Sequence, residues 1–202
     1  MKPLPKEFLT LEALYKEHGF SLWMIGGTSR DYLLGLEPDD LDFVTDATPE
    51  QEKQFLPEAD YTFQKYGSIK AKVGGVSCDV TTLREESDYG DHRHPGKVQF
   101  IQDVHQDSLR RDFTINAIYI DGQGHVLDYH HGLDDLKAGV IRFIGEPSKR
   151  ILEDPLRILR AERFAKRLGF TIEEASKAAM EQLRGELSKL NPDKVLLESK
   201  KV

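Results

Sequence analysis

Gly26-Gly27-Thr28-Ser29-Arg30-Asp31, followed by Asp40-Leu41-Asp42-Phe43-Val44, decides the reading of this chain. A glycine lacks Cβ, so the backbone can take positive φ and pass close to a ligand. Upstream, Ser21-Leu22-Trp23-Met24-Ile25 reads as a buried strand. Downstream, Arg30-Asp31-Tyr32-Leu33-Leu34 reads as a short helix ended by Gly35. Strand, glycine turn and helix N-terminus form a site for a phosphate group, because free backbone N–H groups converge there. Strand period puts Asp40 and Asp42 on one face. Two carboxylates beside a phosphate cradle suit divalent metal ions, which relieve their repulsion and activate an attacking oxygen. A Gly-Gly pair alone is usually a turn, and an Asp-x-Asp alone is commonly a solvated edge. Order and spacing carry the reading, which is nucleotidyl transfer.

At 202 residues the chain can hold one large domain, or one domain with a helical appendage. Its 39% hydrophobic content supports a real core. A single cysteine, Cys78, excludes an internal disulfide and a cysteine-based zinc site, and its apolar neighbours predict a small buried side chain. No apolar run is long enough to span a bilayer, so no membrane partner and a cytoplasmic location are expected. The net charge of −7 has the wrong sign for a simple nucleic-acid binder, but the charge is unevenly distributed. Residues 1–60 hold 5 Lys/Arg against 13 Asp/Glu, whereas residues 141–170 hold 8 against 4. An acidic, metal-binding half and a basic segment are consistent with a bound nucleotide.

Phe8 to His18 has the pattern of an amphipathic helix, with Gly19 ending it. Thr48-Pro49-Glu50-Gln51 opens a second helix after the acidic strand at 40–45. Strands are predicted over 61–65, 68–73 and 76–82, with Gly74-Gly75 as a hairpin turn. The polar stretch from Arg84 to Gly96 has no periodicity and reads as a mobile loop, followed by a short strand at 98–101. A helix is predicted over 106–116, then strands at 117–120 and 126–127, with a further short one at 141–144. Beyond it the chain becomes helical, over 148–168, 172–182 and 192–200. The fold class is α+β, a mixed domain over residues 1–144 followed by a helical one over 145–202.

Two further constellations carry chemistry. Arg110-Arg111-Asp112-Phe113-Thr114-Ile115-Asn116 sets charged groups into an apolar segment, where an arginine fork can grip a phosphate or a ribose hydroxyl. Leu152 to Phe164 is apolar on nearly every side of a helical wheel, yet carries Arg157, Arg160 and Arg163 at intervals of three. Enclosed arginines need partners. Asp154 can pair with Arg157 at i, i+3, or the two can present acceptors and donors to one flat base edge. Pro155 fits a first helical turn. Asp79 is a candidate third carboxylate, and His92 and His94 read as loop histidines rather than metal ligands. His130, His131, Asp134 and Asp135 lack the further His–Asp pair that a metal phosphohydrolase requires.

These segments, in this order, resemble the class II tRNA nucleotidyltransferase (CCA-adding enzyme) and bacterial poly(A) polymerase family over residues 20–170. Gly26-Gly27-x-x-Arg30-Asp31 with Asp40-x-Asp42 is similar to its first motif, whose carboxylates hold Mg²⁺ in a head with a DNA polymerase β-like fold. Arg110 to Ala117 resembles its ribose-recognition motif, and Arg84 to Pro95 its flexible loop implicated in switching from CTP to ATP. Glu153-Asp154-x-x-Arg157 resembles its amino-acid template for the incoming base. The resemblance implies that Asp40 and Asp42 bind metal and are catalytic. It implies that Gly26, Gly27, Arg30, Arg111, Asp112, Asp154, Arg157, Arg160 and Arg163 contact the nucleotide. Asp79 stands where a glutamate is common in the family. The expected partners are ATP, CTP and a tRNA 3′ end, and the expected reaction is CMP and AMP addition without a nucleic-acid template, releasing pyrophosphate. An A-adding enzyme, a poly(A) polymerase and a weakly active nucleotide- or RNA-binding module are the alternatives. Family members usually continue into body and tail domains, and the expectation here is a head with part of the neck.

Overall fold

The computed structural model describes residues 2–87, 89–92 and 95–201. In chain order the elements are α1 (Lys6–Glu17), β1 (Leu22–Met24), α2 (Gly26–Leu33), β2 (Leu41–Thr45), α3 (Pro49–Glu52), β3 (Ser68–Val73) and β4 (Val76–Thr82). Then come β5 (Arg84–Ser87), β6 (Lys97–Phe100), α4 (Val104–Ser108), β7 (Ile118–Ile120), β8 (Val126–Asp128), α5 (Gly132–Ala138) and β9 (Val140–Ile141). The remainder is α6 (Pro147–Glu153), α7 (Leu156–Leu168), β10 (Thr171–Ile172), α8 (Glu174–Leu183) and α9 (Pro192–Lys200). The chain divides into two compact units that interleave along the sequence. The first holds the described residues of Met1–Glu85, Val98–Ser108 and Asn116–Tyr129; the second holds those of Glu86–Lys97, Leu109–Ile115 and His130–Val202.

The first unit is built on a six-stranded mixed sheet in the order β3-β4-β2-β1-β7-β8. β2 and β4 run parallel, and the other neighbouring pairs are antiparallel. Alternation along β2 supplies both faces. Phe43 turns to α1, its ring 5.1 Å from Phe8, and Val44 turns the other way into a cluster with Ile25, Leu83 and Tyr119. Each such fully buried side chain contributes on the order of 2 kcal/mol. Asp42, two residues from Val44, therefore shares the face away from α1.

The second unit is mainly helical. Phe113 anchors its core, 4.9 Å from the Phe143 ring and 5.9 Å edge-on from Phe164 of α7. β9 and β10 form a short parallel pair.

Several expectations need correction. The 106–116 segment is not one helix: α4 stops at Ser108, and a 3₁₀ turn covers Thr114–Asn116. Backbone groups there have other acceptors, as Phe113 N–H donates to the neighbouring Asp112 carboxylate (2.7 Å) and Thr114 N–H to the distant Arg142 carbonyl (3.0 Å). The 148–168 helix is broken at Asp154, whose extended φ of −149° and ψ of 92° follow from the proline after it. Residues 61–65 form a turn rather than a strand, because Asp60 accepts from the Thr62 N–H (2.9 Å) and Gly67 takes a φ of +87°. The 84–96 stretch is not wholly loop, since Arg84–Ser87 is β5, paired with β6. Helix α5 was missed; it opens from His131 at a φ of +58°, which non-glycine residues rarely adopt. His94 lies outside the described residues.

Beneath α1, the fully buried Glu52 accepts a hydrogen bond from Tyr15, and its Oε1 has no partner. Burial pushes the Glu52 carboxyl up to about 8. A folded-state value above the unfolded 4.5 means the stabilisation is complete below about pH 4.5 and is lost as pH rises through about 8. Glu52→Gln, which keeps a partner for Tyr15 without a titrating group, should flatten the decline of Tm over that interval. Calorimetric scans of the two proteins at several pH values check this.

Candidate active site

In the first unit the site residues lie on β1, α2 and β2. Helix α2 begins on the glycine pair itself, one turn earlier than the sequence pattern predicts. Gly26 holds a φ of +62°, and a Cβ there would stand 3.4 Å from Asp42 Oδ2. Glycine thus satisfies the backbone and keeps open the space beside the carboxylate. Ile25 provides no side-chain cap, so the opening amides of α2, at the positive end of its dipole, suit an anionic ligand.

Thr28 fixes the geometry of the carboxylate pair. Its hydroxyl donates to the Asp40 carbonyl (2.9 Å) and accepts from the Asp42 N–H (2.8 Å), stapling Asp40-Leu41-Asp42 to α2. Asp40 lies just before β2 and is exposed; Asp42 lies within the strand and is half-buried. Arg30 is only 3% exposed. It donates to Asp31 Oδ1 through Nε (3.0 Å) and to Asn116 Oδ1 (2.8 Å), which ties α2 to the residue two positions before β7. A Cβ on Gly27 would press to 3.2 Å of the Arg30 guanidinium. Asp79 is the register partner of Asp42 on β4 and pairs with Lys70 at 3.7 Å. Among the described residues no group of three His, Cys, Asp or Glu side chains could hold a metal ion, so the donors present here are a carboxylate pair. That set fits Mg²⁺, a hard cation that keeps several waters and takes one or two carboxylates together with substrate phosphates.

In the second unit the arginines are committed to acceptors. Arg160 donates to Asp112 Oδ2 from Nε (2.8 Å) and Nη2 (2.6 Å). Burial alone would raise the Asp112 carboxyl, but Arg160 holds it below its ordinary value. Arg163 pairs with the buried Glu198 and lies over the Phe164 ring. Arg157, 6% exposed, donates to Glu153 Oε2 (2.9 Å) and to the Arg150 carbonyl (2.8 Å). Its guanidinium sits 5.9 Å from the Tyr89 ring centroid. Glu153 pairs with Arg157 at i, i+4, and the Asp154 charge acts on it as well. Asp154 Oδ1 accepts from the Leu156 N–H (3.2 Å), which places its carboxylate at the opening of α7. The Arg111 carbonyl accepts from Arg150 (2.9 Å).

Thr28, Arg150 and Tyr89 were not singled out from the sequence. Arg150, Glu153 and Arg157 stand at i, i+3 and i+7, a spacing that could have exposed them. Thr28 left no such signal, because its partners arrive from the next strand.

The residues 22–142 match the family model of the poly(A) polymerase head domain. The chain belongs to that family. It is 38% identical to the CCA-adding enzyme of Leuconostoc mesenteroides over 98% of its own length and 50% of the relative. It is likewise 38% identical to that of Lactobacillus helveticus, over 89% of this chain and 45% of the relative. Among solved structures, the Bacillus stearothermophilus CCA-adding enzyme in complex with CTP is 33% identical with a TM-score of 0.88, covering 98% of this chain and 48% of that one. A tRNA nucleotidyltransferase complexed with a primer tRNA and an incoming ATP analogue is 32% identical with a TM-score of 0.76, covering 94% and 55%. The chain spans about half the length of the curated relatives it matches. The fold of this head-domain family member is α+β and DNA polymerase β-like. Among the described residues no helix is long and apolar enough to cross a membrane.

Thr28→Val removes both hydroxyl bonds while keeping the side-chain shape and should destabilise the protein by about 2 kcal/mol, since each bond contributes about 1. Thr28→Ser should recover most of that loss. Urea denaturation of the three proteins tests the staple.

Proposed function

We propose that this chain adds CMP and AMP to an RNA 3′ end without a nucleic-acid template, the activity for which its CCA-adding relatives are named. The observation that carries the reading is the Asp40–Asp42 pair stapled by Thr28 beside the glycine opening of α2. The relatives solved with CTP and with a primer tRNA and ATP analogue support the same substrates here. Mg²⁺ held by Asp40 and Asp42 would neutralise the triphosphate and favour the ionised form of the attacking 3′-hydroxyl. The amides of Gly26 and Gly27 receive phosphate oxygens, and Gly26 keeps the approach to Asp42 clear. Arg30 maintains that opening from beneath. Arg111 serves the ribose or phosphate, and Arg160 acts by holding Asp112. Attack at the α-phosphorus expels pyrophosphate.

Base choice follows from hydrogen-bond chemistry. Cytosine and adenine each place an amino donor beside a ring-nitrogen acceptor on their pairing edge. Uracil and guanine reverse that order. A carboxylate acceptor at Asp154 with a guanidinium donor at Arg157 matches the first pair and opposes the second. In this assignment residues 1–144 are the catalytic head and 145–202 the base-reading neck.

Primer extension with Mg²⁺ and single NTPs, on tRNA transcripts ending at the discriminator base, at C and at CC, tests the proposal. The expected products are C, then C, then A and a stop. Adenosine added only to the CC end, or a long A tail, would select the A-adding or poly(A) alternative. NTP binding without incorporation would select the binding module. Asp42→Ala should abolish incorporation without lowering Tm. Arg157→Ala should admit UTP and GTP, and an unchanged NTP profile in that variant would refute the template role.

A further inference from the structure

Arg150 is 9% exposed and lies at the last turn of α6, outside every residue assigned above to nucleotide contact. Its Nη2 donates to the carbonyls of both Arg110 (2.5 Å) and Arg111 (2.9 Å), the backbone of the proposed ribose segment. Its Nη1 donates to Glu153 Oε2 (2.6 Å), the same oxygen that accepts from Arg157 (2.9 Å). Its own carbonyl accepts from Arg157 Nη1 (2.8 Å). One side chain therefore binds the 110–111 backbone, and through a shared carboxylate it orients the base-reading guanidinium. A planar fork can serve two carbonyls and a carboxylate together, whereas an ammonium group is a single compact charge. An enclosed cation is retained at a desolvation cost unless its partners hold it, and the contacts of Arg150 converge on functional segments rather than on solvent.

We infer that Arg150 is a positioning residue for base selection, fixing Arg157 relative to the Arg110–Arg111 backbone. The inference rests on the template reading of Arg157 given above. Arg150→Lys keeps the charge and the bond to Glu153 but cannot hold both carbonyls. It should lower the discrimination in kcat/KM for CTP and ATP over UTP and GTP by about tenfold, a loss expected when polar groups of a selective site are mispositioned. The loss should vanish in an Arg157→Ala background, because the two residues act on one guanidinium. A merely structural role would lower Tm and kcat for all four nucleotides alike and would persist in that background.

The test is single-nucleotide incorporation on a tRNA primer for wild type, both single variants and the double variant, with a thermal melt of each. Selectivity unchanged in folded Arg150→Lys, or a loss that adds to that of Arg157→Ala, would overturn the inference. Should Arg150→Lys fail to fold, Glu153→Gln weakens the shared acceptor at constant shape. It must show the same selectivity loss, and wild-type selectivity in it would equally overturn the inference. A wild-type protein that incorporates nothing refutes the proposed activity itself, a result separable from a selective wild type with an equally selective variant.

Discussion

One threonine hydroxyl holds the carboxylate-bearing edge of the first unit in register. Thr28 Oγ1 bonds the Asp40 carbonyl and the Asp42 N–H at once, and both residues sit where β2 begins. Carboxylates placed side by side repel, and a chain end entering a strand would ordinarily splay to separate them. The staple opposes that by tying their backbone to the first turn of α2. It has a second consequence, because the same turn carries Gly26, whose missing side chain leaves the space beside Asp42 open. Glycine turn and carboxylate pair are thus one local structure, packed against the buried Val44 and Tyr119.

The second unit solves a different problem, the enclosure of several arginines. Each has an acceptor supplied from outside its own helical turn or shared with a neighbour: Asp112 for Arg160, Glu198 for Arg163, Glu153 for Arg150 and Arg157. In a medium of low polarity such pairs are strongly directional, and breaking one leaves a costly unpaired charge. The rigidity this gives a guanidinium is what the base reading proposed above would require. Buried charge here serves orientation more than stability.

The carboxylate and glycine motif was legible because its elements are local. Strand period places Asp40 and Asp42, and the glycines mark the turn between β1 and α2. The helical neck was legible by periodicity, although its break at Asp154 required giving Pro155 its full effect on the preceding residue. The 106–116 segment misled because its helix-like spacing lost to bonds from distant partners, with Arg142 and Arg150 taking up its backbone groups. Arg30 shows the same dependence on distant partners. Its place in the motif suggested a phosphate ligand, and only the fold revealed Asn116 as its partner.

The sequence by itself determined the α+β class, the carboxylate pair, the glycine cradle and the row of arginines, because these depend on residue type and short-range period. The tertiary structure decided which arginine each carboxylate holds, that Arg30 meets Asn116, and that Thr28 and Arg150 tie their segments together. Hydrogen-bond partners far apart in the chain are chosen by packing, and a periodic pattern carries no record of which distant groups the folded core brings within 3 Å.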